Sequence, residues 1–375
     1  MTRLFLHIGS PKAGSSAIQA AIQGLSEAAM AGADLQVLPA NPYGKPFPSG
    51  FVAARYMPPA DLPRYLRLRQ QRDPEQFQQD LQQHWRLLSE GLRRRPQRAV
   101  AGWRWPWPLA QRSHQAGGTA LLSSEYLWRL PADQVRRFRQ DFEALGVDDF
   151  RVIAYVRQPV SAYASFLQQW LRLSTDLERY NPLRWHYQPR QHLETWEAVF
   201  GDALVVRPFE RDQLQGGSVV QDCFAQLSAW LDRPVQGEEE SGVNEALSTE
   251  ELFLVQDLLR SLPPASLQDP QWPFRMARFR RLLSQAAPPL DCRPVRLQPW
   301  VRDQVWQRHQ QDLDWLEQRH GVVFPAPAEL SSATAAPPEQ TTGFRLDQLL
   351  CPPEDSARTL ALMRQQLIAV LAEGV

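Results

Sequence analysis

The residues with the clearest chemical potential are Gly9-Ser10-Pro11-Lys12-Ala13-Gly14-Ser15-Ser16, near the start of the 375-residue chain. An apolar run at 3–8 precedes them, and from Ser15 onward Ile18, Ala21, Ile22 and Leu25 recur at helical spacing. A strand, a loop and a helix in that order turn backbone N–H groups and the positive end of a helix dipole toward one point, where a phosphate-like anion would sit. The two glycines keep the spacing of GxxxxGK[ST], but Ser15 stands where that motif has its lysine, and the nearest lysine is Lys12, inside the loop. The motif's lysine serves the β- and γ-phosphates and its next hydroxyl serves Mg²⁺, so the displacement argues against triphosphate chemistry. Only two of the 41 basic residues are lysine, Lys12 and Lys45, which makes Lys12 a candidate for a specific role.

Two later segments carry groups suited to the same chemistry. RVIAYVRQPVSAYASF at 151–166 reads as a strand ending in Arg157, with Pro159 opening a helix and Ser165 eight residues after the arginine. A guanidinium offers phosphate a two-pronged contact and a hydroxyl adds a neutral donor, although Arg157 could equally pair locally and Ser165 could face solvent. LLSSEYLW at 121–128 reads as a buried strand ending in Glu125. A carboxylate there can have its pKa raised by partial burial and act as a proton acceptor, or can pair with one of the many arginines. His7 reads as a packed strand residue. Trp103, Trp105 and Trp107 could stack on sugar rings or simply pack, and Arg93, Arg94 and Arg95 read as a solvated helix end.

The elements that must position these groups alternate. Strands are expected at 3–8, 35–38, 119–124, 151–156 and 203–206. Helices are expected from Ser15, at 74–94, 132–145, from Pro159 with a Val160, Tyr163, Ala164, Leu167, Leu171 stripe, and at 191–200, 218–231, 248–262, 274–286 and 297–319. Residues 39–59 read as loop. The alternation predicts an α/β fold: a P-loop-like parallel sheet flanked by helices. The expected organisation is one α/β domain over 1–330 with an insertion at about 39–118. A linker, SSATAAPPEQ, covers 331–340, and a C-terminal helical extension at 341–375 could pair two copies of the chain.

SPKAGSS resembles the 5′-phosphosulfate loop of the sulfotransferase family, including a bacterial branch with an HIGxxKTGTTxIQ pattern. His7, Ile8, Gly9, Lys12, Gly14, Ile18 and Gln19 match it, and Ser15 and Ser16 replace two threonines. Arg157 and Ser165 resemble that family's 3′-phosphate pair, and Glu125 falls where the family carries its catalytic base. The resemblance covers about residues 1–325, but the RKGxxGDWK element of cytosolic members is absent. It implies 3′-phosphoadenosine 5′-phosphosulfate (PAPS) as cosubstrate, with no metal. Ser10, Pro11, Lys12, Ala13, Gly14, Ser15, Ser16, Arg157 and Ser165 would bind the donor, and Lys12 and Glu125 would be catalytic. The acceptor would be a hydroxyl or amine of an unidentified molecule, a saccharide among the candidates. Two other readings stay open: a P-loop kinase or NTPase, and a nucleotide-binding interaction protein without turnover.

Composition limits the remaining possibilities. With 41 basic and 41 acidic residues, no net field draws the molecule to nucleic acid or an anionic membrane. Cys223, Cys292 and Cys351 show no metal-ligand spacing, and no apolar run approaches the roughly 18 residues of a membrane span. A cytoplasmic location is expected.

Overall fold

The computed structural model describes residues 2–42, 49–93, 118–238, 247–261, 293–327, 338–339, 342–353, 361 and 364–365. Among the described residues five strands, β1 (Thr2–His7), β2 (Leu35–Val37), β3 (Thr119–Ser123), β4 (Val147–Val156) and β5 (Leu204–Pro208), form one sheet of order β2-β3-β1-β4-β5. Every pairing is parallel, with His7 opposite Ser123 on one side and Ile153 on the other. The fold is therefore the α/β class expected from the alternating pattern.

Residues cluster into two compact units. The first comprises Met1–Gln158, Gln188–Val243 and Asp312–Phe324 and contains the whole sheet. Parallel strands covered on both faces need apolar residues in both registers, which the central strands supply. Phe5, Leu121, Ile153 and Tyr155 are buried with Ile18, Ala21 and Ile22 of α1 (Ser15–Gln23) and Val220, Phe224 and Leu227 of α9 (Val219–Leu231). Leu4, Leu6, Leu122, Val152 and Ala154, in the alternate register, are as deeply buried. That face is closed by α6 (Ala132–Ala144) and α8 (Pro189–Phe200), whose Phe138 and Trp196 rings lie 6.1 Å apart and whose Phe200 lies 5.4 Å from Phe150 of β4. Each such side chain contributes about 1.5–3 kcal/mol when fully buried.

Several elements differ from the sequence expectation. The short α2 (Glu27–Gly32) precedes β2, and residues 39–59 contain a helix, α3 (Gly50–Ala54), because its residues are all buried and the nearby prolines do not break them. A further helix, α4 (Arg64–Arg72), also lies outside the sequence expectation, whereas α5 (Pro74–Arg93) is the helix expected at 74–94. β4 begins four residues early, at Val147: Arg3 of β1 lies in register with Asp149 and pairs with it at 3.6 Å, extending the ladder into polar sequence. The helix expected over 297–319 is two, Pro299–Arg308 and Gln310–His320, separated at His309.

The second unit comprises Pro159–Tyr187, Asn244–Gln311 and Pro325–Val375. Its core joins Val160, Tyr163, Leu167 and Leu171 of α7 (Pro159–Leu171) to Leu252 of α10 (Thr249–Ser261), to Trp300, Val301 and Val305, and to Leu346, Leu349 and Leu350. The α7 stripe read from spacing is the buried one, apart from the half-buried Ala164. The Trp103–Trp107 segment, the helix expected at 274–286, most of the linker and most of the C-terminal extension lie outside the described residues. No helix among the described residues is long and apolar enough to cross a membrane.

Candidate anion-binding site

Because all five strands run the same way, their carboxyl ends share one edge, and β1, β3 and β4 deliver three of the sequence-selected groups there. β1 connects toward β2 at one side of the sheet and β4 toward β5 at the other. The crevice outside such a switch point is where open α/β sheets bind ligands.

After β1 the chain stays bonded to β4, with Ile8 N–H donating to the Ile153 carbonyl at 3.1 Å and Ser10 N–H to that of Tyr155 at 3.3 Å. It leaves the sheet at Pro11, and Ala13 N–H closes the turn on the Ser10 carbonyl at 3.2 Å. Gly9 and Gly14 have φ of +51° and +82°, and neither could carry a side chain. A Cβ at Gly9 would sit 2.4 Å from Ser15 Oγ, and one at Gly14 would sit 2.7 Å from Val219 and 2.8 Å from Phe209. Lys12 adopts φ +69° despite its side chain, a conformation costing on the order of 1–2 kcal/mol. Arg157 Nη1 donates to the Lys12 carbonyl at 2.9 Å and helps hold that backbone.

The helix that follows opens without help from its own sequence. Gly14 supplies no side-chain cap, and no acidic residue lies in the first turn of α1. By contrast α9 is capped by Ser218, whose Oγ accepts from the N–H groups of Val220 and Gln221 at 3.2 and 3.3 Å. An uncapped helix start leaves its N–H dipoles for an external anion.

Glu125 begins a short 3₁₀ turn, Glu125–Arg129, one residue beyond β3. Ser124 N–H donates to the His7 carbonyl at 2.9 Å, and Ser124 Oγ donates to the Ser49 carbonyl at 2.8 Å, so the turn is fixed to β1 and to the start of α3. Gln19 Nε2 of α1 donates to Ser49 Oγ at 3.3 Å, closing the link back to the loop helix. The carboxyl of Glu125 is half-buried and accepts no hydrogen bond among the described residues. Burial raises its pKa above the usual carboxylate range, and the positive charge of Lys12 opposes that rise. The neighbouring Tyr126 is pushed up to about 12, by burial and then by the Glu125 charge. Tyr65, whose ring lies 6.3 Å from that of Tyr126, is raised too.

On the other side, Arg157 stands one residue past β4 with its guanidinium 5.4 Å from the centre of the Phe209 ring. Burial raises the pKa of Glu210, next to Phe209, while the Arg157 charge lowers it. Phe209 and Glu210 belong to the β5 exit and were not singled out by motif. Their signal was positional only, since the end of every parallel strand opens on this edge. Ser165 sits half-buried on α7 in the second unit.

Beneath the loop, His7 is fully buried and its Nδ1 lies 2.8 Å from Ser123 Oγ. Burial drives its pKa down to about 3, so the ring is neutral and unsuited to accept a proton at neutral pH. His7 Nε2 and Ser15 Oγ are buried without a hydrogen-bond partner. A separate cleft of about 200 Å³, lined by Phe5, Arg151, Gln226 and Trp230 among others, contains none of these residues.

The fold is a parallel α/β sheet whose central strand leads through a loop with two positive-φ glycines into an uncapped first helix. No family model, curated protein or solved structure matches the chain.

Proposed function

We propose that this protein is a sulfotransferase that moves a sulfuryl group from PAPS to a hydroxyl or amine. The observation carrying the reading is the gathering at one sheet edge of a loop cation, Lys12, a half-buried carboxyl, Glu125, whose burial-raised pKa the Lys12 charge opposes, and Arg157, whose guanidinium holds the Lys12 carbonyl. The acceptor oxygen or nitrogen forms a bond to sulfur as the bond from sulfur to the 5′-phosphate oxygen breaks, leaving adenosine 3′,5′-bisphosphate. Glu125 takes the acceptor's proton, which its raised pKa favours. Lys12 and the N–H groups opening α1 stabilise charge gathering on the departing oxygen, with Ser15 and Ser16 assisting. Ser10, Pro11, Ala13 and Gly14 shape the cradle, and Arg157 would take the 3′-phosphate, a role the resemblance also gives Ser165. Protein groups supply all the positive charge this scheme needs, and the reaction is written without a metal. The reading includes a cytoplasmic location.

Calorimetry with adenosine 3′,5′-bisphosphate and with Mg-ATP, followed by turnover of sulfur-labelled PAPS over a panel of saccharide, phenolic and amine acceptors, tests it. Metal-independent preference for the bisphosphate and label transfer are expected. Preference for Mg-ATP would replace the reading with a P-loop kinase, and binding without transfer to any acceptor would replace it with a nucleotide-binding interaction protein.

A further inference from the structure

We propose that His7 is a positioning residue for the anion loop: its Nε2–H is the donor that orients the Ser15 hydroxyl toward a bound oxyanion. The inference rests on the loop being an anion site and deepens the functional reading above.

Two buried polar atoms border one small volume here, with no hydrogen bond to each other or to any described group. His7 is 0% exposed and Ser15 is 3% exposed, so solvent satisfies neither Nε2 nor Oγ. Buried groups of this kind are seldom left unpaired, and a matched donor and acceptor on adjacent side chains are each other's natural partners. Both face the same small volume. A Cβ built on Gly9 would lie 3.2 Å from His7 Nε2 and 2.4 Å from Ser15 Oγ, so the absence of a side chain at Gly9 leaves that volume to the two of them.

The tautomer follows from Ser123. Its hydroxyl has one hydrogen, and its sole hydrogen-bonding side-chain partner among the described residues is His7 Nδ1. If Nδ1–H donated to Ser123, the serine's own hydrogen would be left buried with no acceptor. Ser123 O–H therefore donates to Nδ1, which leaves the single ring proton on Nε2, facing Ser15. With Nε2–H donating to its oxygen, Ser15 keeps its own hydrogen to give. The place to give it is the mouth of α1, where Ser15 is the first helical residue and no side chain caps the helix. The neutral ring adds direction without adding charge, so Lys12 remains the loop's cation.

The test is a double-mutant cycle read as binding, with inorganic phosphate, inorganic sulfate and adenosine 3′,5′-bisphosphate as probes of the full chain. His7→Asn keeps an amide near Nδ1 for Ser123 but has nothing at the Nε2 position, whereas His7→Gln places an amide N–H there. We expect His7→Asn and Ser15→Ala each to weaken the bisphosphate about three- to tenfold, the scale of one neutral hydrogen bond. The double variant should be no weaker than Ser15→Ala alone, and His7→Gln should restore most of the loss. Nitrogen-15 spectra of the histidine ring in the unmodified protein should show the proton on Nε2, with that signal moving when phosphate is added. Additive losses, a ring protonated on Nδ1, or an Nε2–H signal indifferent to all three probes would overturn the proposal. The spectra decide it even if His7→Asn fails to fold. Coupling with the probes but no transfer from PAPS would leave the His7–Ser15 device standing and remove the sulfotransferase reading; transfer without coupling would do the reverse.

Discussion

Two polar clusters in the sheet-bearing unit solve the problem of burying charge in opposite ways. Behind the sheet, Asp222 is fully buried, and its carboxylate accepts from Tyr155 Oη at 2.7 Å, Arg207 Nε at 3.0 Å, Arg207 Nη2 at 2.6 Å and Gln215 N–H at 3.2 Å. At the loop edge, Glu125 accepts nothing among the described residues, and His7 and Ser15 keep buried atoms without partners. The first cluster is complete in itself and ties β4, β5 and α9 together. The second leaves buried polar atoms unpaired, and it stands where a helix also opens uncapped. Satisfied polar groups hold a fold, while the unsatisfied ones at this edge are the groups that the proposed ligand would engage.

That contrast can be broken by substitution. The largest effect is expected for Glu125→Gln, which should lower turnover by about 10²–10⁴-fold, the range of general-base catalysis, while nucleotide affinity is retained. Its stability effect has a definite sign. Burial raises the folded pKa, so the charged carboxyl detracts from stability as pH climbs past the unfolded value, and Gln should melt at the same temperature or higher at pH 7. A lower melting temperature with full activity would make Glu125 a structural residue like Asp222. In the wild type, kcat/KM should rise with pH through a value above the ordinary 4.5 of glutamate.

Asp222→Asn should do the opposite. It should cost about 3 kcal/mol of stability in chemical denaturation, the low end for breaking a buried ion pair because Arg207 retains some solvent access, and leave bisphosphate affinity near normal in the folded fraction. Strong loss of binding at unchanged stability would mean that the two clusters are not separate.

Lys12→Ala comes next, with a turnover loss of about 10²–10³-fold, the scale of removing one transition-state donor, and a much smaller loss of product affinity. Equal losses in both would reduce Lys12 to a ground-state contact.

Arg157→Ala has the smallest expected effect and sharpens a point the geometry raises, since this guanidinium already holds the Lys12 carbonyl. A 3′-phosphate contact predicts a loss of about 1.5–3 kcal/mol for adenosine 3′,5′-bisphosphate and little for AMP. A loop strut predicts equal weakening of both, which calorimetry distinguishes.

Much of this architecture was legible because it is periodic or local. The β1-loop-α1 unit, β3 with Glu125 just past its end, and β4 with Arg157 just past its end each declared themselves through apolar runs and the residues that stop them. α3 was hidden because prolines on either side of Gly50–Ala54 outweighed five residues that burial makes helical. The break at His309 was hidden because it comes from the ring's own bonds, to the Val305 carbonyl at 2.7 Å and from Tyr187 N–H at 2.9 Å, the latter across 122 residues. The same applies to His7. Its sequence reading as a packed strand residue is consistent with its complete burial, but its tautomer depends on Ser123, 116 residues away, and no local pattern carries that distance.

The all-parallel sheet has a kinetic consequence. Lys12, Glu125 and Arg157 come from distant points in the chain and meet only when β1 has paired with both β3 and β4, contacts of long sequence separation that close slowly. The site therefore exists only in chains whose central pairing is finished, and any ligand it holds selects for them. Such a ligand would raise the apparent stability of the unit in proportion to the logarithm of its concentration over Kd. A rise of melting temperature with bisphosphate concentration would thus report ligand held by the folded unit in which those three strands are paired, without a label on any of them.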